Sequence, residues 1–192
     1  VRKSKRIDQI VVATTMNATD DPVVACCEAL DIDVFRGSEP DVLGRFCDAA
    51  MQVGAHIVVR LTADCPMVDP AVIDRVIDAF LAGSYDYASN CRLRTYPDGI
   101  DVEVFSMAAL QRSADEARDP WLREHVTPYM RGGFKDYPSG GFQTVDVVHE
   151  ADFSHLRWTV DTAQDLEVAR GYFKVLGDRF TWQEALALAT RR

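Results

Sequence analysis

Two aspartates stand where a chain of this kind could hold a charged ligand. Asp64 ends the apolar run of "VVRLTADCPMVDP" (58–70), and Asp161 follows the apolar step of "RWTVDTAQDL" (157–166). Each carboxylate sits at the far end of an expected strand and just ahead of an expected helix, and in open parallel sheets those strand ends form the ligand crevice. A hard cation such as Mg²⁺ is typically held by one or two carboxylates together with substrate phosphates. The pair therefore points to a metal-dependent, phosphate-handling site. The same residues fit structural duties equally well. An aspartate before Cys65-Pro66 suits an Asx turn, and Asp161 or Thr162 suits a helix cap. Spacing alone leaves both readings open.

The elements that must position them alternate through the first half of the chain as short apolar strands and helices, the pattern of a parallel sheet covered by helices. "QIVVATT" (9–15) reads as a strand buried on both faces, and "VVACCEAL" (23–30) continues a helix whose first turn suits Pro22. "DVFRGS" (33–38) is a second strand, 41–54 a helix closed by glycine, and "HIVVRLTAD" (56–64) a third strand. The clearest helix spans 69–83. Asp69 caps it, Pro70 takes its first position, and Val72, Ile73, Val76, Ile77 and Phe80 recur on one face. Beyond Tyr85 the character changes. Strands are expected at 85–90 and 99–106, then a helix from Met107, a helix broken at Pro128, an alternating strand "FQTVDVVHE", a short strand "RWTV", and two closing helices. A single domain is expected, made of two lobes, 1–84 and 85–192.

At 192 residues the chain suits one buried core, since a domain usually takes about 100–200 residues. A net charge of -9 and a pI near 4.9 argue against nucleic acid as a partner. The five cysteines, Cys26, Cys27, Cys47, Cys65 and Cys91, lack paired CxxC spacing and read as reduced thiols of a cytoplasmic protein. No apolar run approaches the ~20 residues of a membrane span, and Asp8 interrupts the apolar part of the start.

Six blocks carry a resemblance: "ATTMNATDDPV", "VFRGSEPDVLGRF", "VVRLTADCPMVDP", "YPDGIDVEVF", "REHVTPYM" and "HLRWTVDTAQDLE". In order and wording they resemble the cytidylyltransferase-like spore-coat polysaccharide synthesis family, related to the synthetases that join CTP to 3-deoxy-octulosonate and sialic acids. The resemblance spans essentially the whole chain. It implies a three-layer α/β/α nucleotidyltransferase fold of the glycosyltransferase-A-like kind, with a mainly parallel sheet lacking its first strand in this sequence. It implies transfer of CMP from CTP to a sugar or sugar acid, a Mg²⁺ ion on Asp64 and Asp161, and a homodimer.

By the same resemblance Arg36, Ser38 and Arg45 approach the nucleotide. Asp98, Asp101 and Glu103 face the acceptor, with Asp101 and Glu103 on one strand face that fits a solvent edge as well. Arg123, Glu124 and His125 contact the acceptor or a partner subunit. A glycosyltransferase of the same fold, and a nucleotide-binding subunit without turnover, are the competing readings. One departure stands out: family members open with a strand and a loop of the kind "QARxxSxRLPxK" that cradles the triphosphate. "RKSKR" (2–6) lacks its proline and preceding strand. A longer parent chain is the expectation.

Overall fold

The computed structural model describes residues 1–190. The described residues form six strands and eight α-helices, and in the first half three of each alternate as expected: β1 (Val11–Thr15), α1 (Asp21–Ala29), β2 (Asp33–Gly37), α2 (Val42–Gln52), β3 (Ile57–Arg60) and α3 (Pro70–Leu81). The second half supplies β4 (Tyr87–Ser89), β5 (Glu103–Ser106), α4 (Met107–Glu116), α5 (Pro120–His125), α6 (Pro128–Arg131), β6 (Thr144–Asp146), α7 (Ala163–Leu176) and α8 (Trp182–Ala189). Among the described residues no helix is long and apolar enough to cross a membrane.

β1 and β2 pair in parallel, and a second sheet runs in the order β3-β5-β4-β6. Within it β5 is antiparallel to both its neighbours and β6 is parallel to β4, so β3, β4 and β6 share one direction and only β5 opposes them. Alternation along these strands feeds two cores. Val102, Val104 and Ala88 face α3, Trp158 and Trp182, whereas Phe105 and Tyr87 face Leu43 of α2, Leu110 of α4 and Leu122 of α5. Two helical layers enclosing a sheet are the three-layer arrangement expected from the sequence.

Local chemistry explains the element ends. Asp69 caps α3 by accepting from the Ala71 N–H at 2.7 Å, and Pro70 opens the helix. Only 3% exposed, the same carboxylate accepts from the Trp182 N–H at 2.8 Å, so one side chain starts α3 and docks α8. The segment broken at Pro128 is two short helices, because Val126 takes φ +70° between them. The strand expected at "RWTV" is reduced to a single bridge between Arg157 and Asp98.

The sheet is interrupted between β1 and β3. β1 pairs only with β2 and β3 only with β5. A cavity of about 1510 Å³ lies there, walled by Ile10, Val12, Phe46, Ile57, Val59 and Leu61. The basic run at the start is tied to α3, where Ser4 donates to Asp74 at 2.5 Å and Arg6 pairs with Asp78 at 2.7 Å.

Candidate active site

The strand ends carrying the two aspartates meet. The Val160 N–H donates to the Asp64 carbonyl at 2.8 Å, which sets Asp161 one residue from a backbone contact with Asp64. Gly99 makes this approach possible. Its φ is +104°, and a Cβ there would fall 2.6 Å from the Trp158 carbonyl carbon and 2.7 Å from the Thr159 nitrogen. Asp98 completes the seam, its N–H donating to Leu156 O at 2.9 Å and its carbonyl accepting from Trp158 at 2.7 Å.

Neither aspartate is taken up by the structural duty that competed for it. The turn after β3 is closed by backbone, with the Cys65 N–H donating to Thr62 O, and the Asp64 carboxylate receives only the Cys65 thiol at 3.6 Å. Thr162, not Asp161, caps α7, in a reciprocal box with Asp165. The Asp161 carboxylate accepts from Arg157 at 2.7 Å and from the Thr159 hydroxyl at 3.0 Å.

Beside this seam lies a cavity of about 240 Å³. Arg60 and Thr62 line both it and the slot between β1 and β3, so the two spaces meet at the end of β3. Its floor is Glu103, 4% exposed and opposite Arg60 in the β3–β5 register. Glu103 pairs with Arg60 and accepts from the Tyr87 hydroxyl at 2.6 Å. Burial works to raise its pKa, yet the charge of Arg60, the Thr127 and Tyr87 hydroxyls and the charge of Arg131 together hold it below the ordinary value. The floor is therefore a carboxylate. Above it Arg94 forks onto Asp101 with two 2.6 Å bonds and reaches Asp98 at 3.1 Å. Trp121, His125 and Arg131 close the far wall.

Of the residues singled out from the sequence, Asp101, Glu103 and His125 line this cavity, and Asp98 joins its rim through Arg94. The solvent-edge alternative for Asp101 and Glu103 is overturned, because that strand face is covered by Arg60 and Arg94. Arg123 is drawn elsewhere. It donates to the Ala114 and Ala117 carbonyls at 2.9 Å each and to Asp41 at 2.7 Å, tying α5 to α4 and the start of α2. Glu124 is exposed on α5 and outside the cavity wall.

Arg36 is spent on its own loop, donating to Thr15 O, Asn17 O and Asp21, and Ser38 accepts the Asp41 N–H at 3.1 Å. Arg45 lines the slot, and its Nε is buried without a partner. Arg60, Arg94, Arg131 and Trp121 do not stand out in the sequence. The one usable signal is Arg60, a guanidinium inside "IVVRL", where burial demands a charged partner.

Comparisons with known proteins bear on the family and the fold. A family model described as cytidylyltransferase matches residues 1–170. The chain belongs to the cytidylyltransferase family. It is 33% identical over 173 residues to the spore coat polysaccharide biosynthesis protein SpsF of Bacillus subtilis, across 90% of this chain and 70% of that protein. It is also 33% identical over 171 residues to an uncharacterised protein of Methanocaldococcus jannaschii, across 88% of this chain and 67% of that one. A solved cytidylyltransferase from Leptospira borgpetersenii superposes with TM-score 0.91 at 31% identity, covering 99% of this chain and 79% of its own. The CMP:2-keto-3-deoxy-manno-octonic acid synthetase, solved with CTP, shares the fold at TM-score 0.61 and 16% identity, over 90% of this chain and 83% of that one. The cytidylyltransferase is thus a nucleotidyltransferase by family, with the Rossmann-like fold of that class.

Proposed function

We propose that this cytidylyltransferase uses Mg²⁺ to transfer CMP from CTP to a sugar or sugar acid for surface polysaccharide assembly, working as a cytoplasmic homodimer. The observation that carries the reading is the backbone bond from Val160 to Asp64, which brings the segments bearing Asp64 and Asp161 together while neither carboxylate serves as turn former or helix cap. The acceptor's hydroxyl oxygen would form a bond to the α-phosphorus as the bond to pyrophosphate breaks.

The donor set fits Mg²⁺ in one manner only. Among the described residues no group of three or more His, Cys, Asp or Glu could enclose a metal. Two carboxylates at a strand-end seam suit an ion that completes its shell with nucleotide phosphates and water. Asp64 and Asp161 would hold it, and it would supply neutralisation of the charge that builds on the phosphates. The chain's own part is placement: Gly99 and Asp98 bring Asp161 to Asp64, Arg45 lines the slot on the nucleotide side, and the 240 Å³ cavity receives the acceptor.

Full-length protein incubated with CTP, Mg²⁺ and acidic sugars should release pyrophosphate. Asp64→Asn should lower the rate on the order of 10²-fold, as removal of one charge-stabilising group at a reacting centre does, with an unchanged circular dichroism spectrum and melting curve. Normal turnover by this variant in Mg²⁺ would remove Asp64 from the site. Release of free nucleoside diphosphate from a nucleotide sugar would instead identify a glycosyltransferase. Light scattering decides the dimer.

A further inference from the structure

The 240 Å³ cavity has two chemically different ends. At one end Arg94 is shared by two carboxylates, Asp98 and Asp101, so negative charge is in excess and hydrogen-bond acceptors remain. At the other end Arg60 pairs with the single carboxylate of Glu103, and the charge of Arg131 is felt there without a carboxylate of its own, so positive charge is in excess. Arg131 makes no ion pair among the described residues. Its guanidinium lies over the Phe134 ring, 5.0 Å from the centroid. The Nε atoms of Arg60 and Arg131 are buried without partners, two of only three such side-chain atoms among the described residues. A buried unpaired donor is costly, and a guanidinium is the group best shaped to take a carboxylate or phosphate in a fork.

We infer that Arg60 and Arg131 form a seat for an oxyanion carried by the acceptor, with Asp98 and Asp101 taking hydroxyl groups at the opposite end and Glu103 positioning Arg60. The seat as an acceptor subsite rests on the cytidylyltransferase reading above. The ligand is a polyhydroxylated molecule with one anionic group, either a sugar carboxylate or a sugar phosphate. Glu103 sets the geometry without needing to touch the ligand. It is held on three sides by Arg60, the Tyr87 hydroxyl and Thr127, so the Arg60 guanidinium is fixed before a ligand arrives. Trp121, stacked on Tyr137 at 4.3 Å between ring centroids, offers a rigid apolar wall to the C–H face of a sugar ring.

The test is direct binding to the full-length protein in the absence of nucleotide, by calorimetry, with three probes: 2-keto-3-deoxy-manno-octonic acid, a hexose phosphate and the matching neutral hexose. The seat requires that at least one anionic probe bind tenfold or more tighter than the neutral one, and whichever anion is preferred identifies the group. Arg131→Met should remove that preference, and Arg131→Lys should restore part of it. In turnover Arg131→Met and Glu103→Gln should raise the acceptor KM at least tenfold while the KM for CTP stays within twofold. Equal binding of neutral and anionic probes, or an anion preference that survives Arg131→Met, overturns the seat. Intact anion binding without pyrophosphate release from CTP would leave the seat standing and refute the transfer reaction instead.

Discussion

Asp20 gathers three donors at the end of β1: the Thr14 hydroxyl at 2.6 Å, the Thr15 hydroxyl at 2.7 Å and the Thr15 N–H at 3.0 Å. These bonds favour the charged carboxylate, with the Thr14 hydroxyl first among the causes, and hold its pKa down to about 2. A depressed pKa contributes stability that is whole above the ordinary carboxylate value of about 4 and is lost as pH falls through about 2. A carboxyl-carbon NMR titration should therefore give Asp20 a midpoint near 2, and Thr14→Val should move that midpoint upward. A midpoint near 4 in the unmodified protein would mean that Asp20 does not fasten the strand end. The thiols follow a parallel logic in the opposite direction. Burial pushes Cys65 and Cys91 up to about 12, so neither is a nucleophile at neutral pH, although Cys91 lines the 240 Å³ cavity.

At the scale of elements, Gly99 has the most specific requirement. Its positive φ and the backbone of Trp158 and Thr159 behind it leave no room for a side chain. Gly99→Ala should cost at least about 2 kcal/mol in chemical denaturation, combining left-handed strain with displacement of backbone. It should also lower activity more than stability alone explains, because it parts the segments bearing Asp64 and Asp161; a neutral substitution would show that the seam yields. Much of this element structure was legible. The helix expected over 69–83 runs from Pro70 to Leu81, since cap, proline and apolar face all agree in one short stretch. Expected strands shrank where pairing ran out: 56–64 became Ile57–Arg60 because its partner β5 begins only at Glu103. Asp161 could not be separated from Thr162 as a cap by spacing, since the choice depends on which side chain faces the Asp165 N–H. The 240 Å³ cavity was the least legible feature. Its arginines come from β3, the loop after β4, and α6, and no local spacing links them.

For the whole molecule the decisive feature is the interruption between β1 and β3. Two strand edges face each other across about 1510 Å³, each with backbone groups that have no ladder partner on that side. The walls are apolar, from Ile10 and Val12 on one side to Ile57 and Val59 on the other. Bare edges and apolar surface of this kind promote association and local opening. A polypeptide made only of 1–192 should therefore bind a hydrophobic dye, lose concentration-independent behaviour on dilution series, and exchange the β1 and β3 amides far faster than those of β4 and β5. A chain that brings one more extended segment into the slot should lose the dye signal and protect both sets of amides to a similar degree. The comparison isolates the slot, because β4 and β5 lie between paired neighbours in both cases and provide the internal reference. Equal protection of all four strands in the 1–192 polypeptide would show that β1 and β3 close on each other in solution, and that the slot is not a feature of the folded chain. Arg45 sharpens the expectation: its buried, partnerless Nε lines the same space, so a filled slot should protect its side-chain N–H from exchange as well.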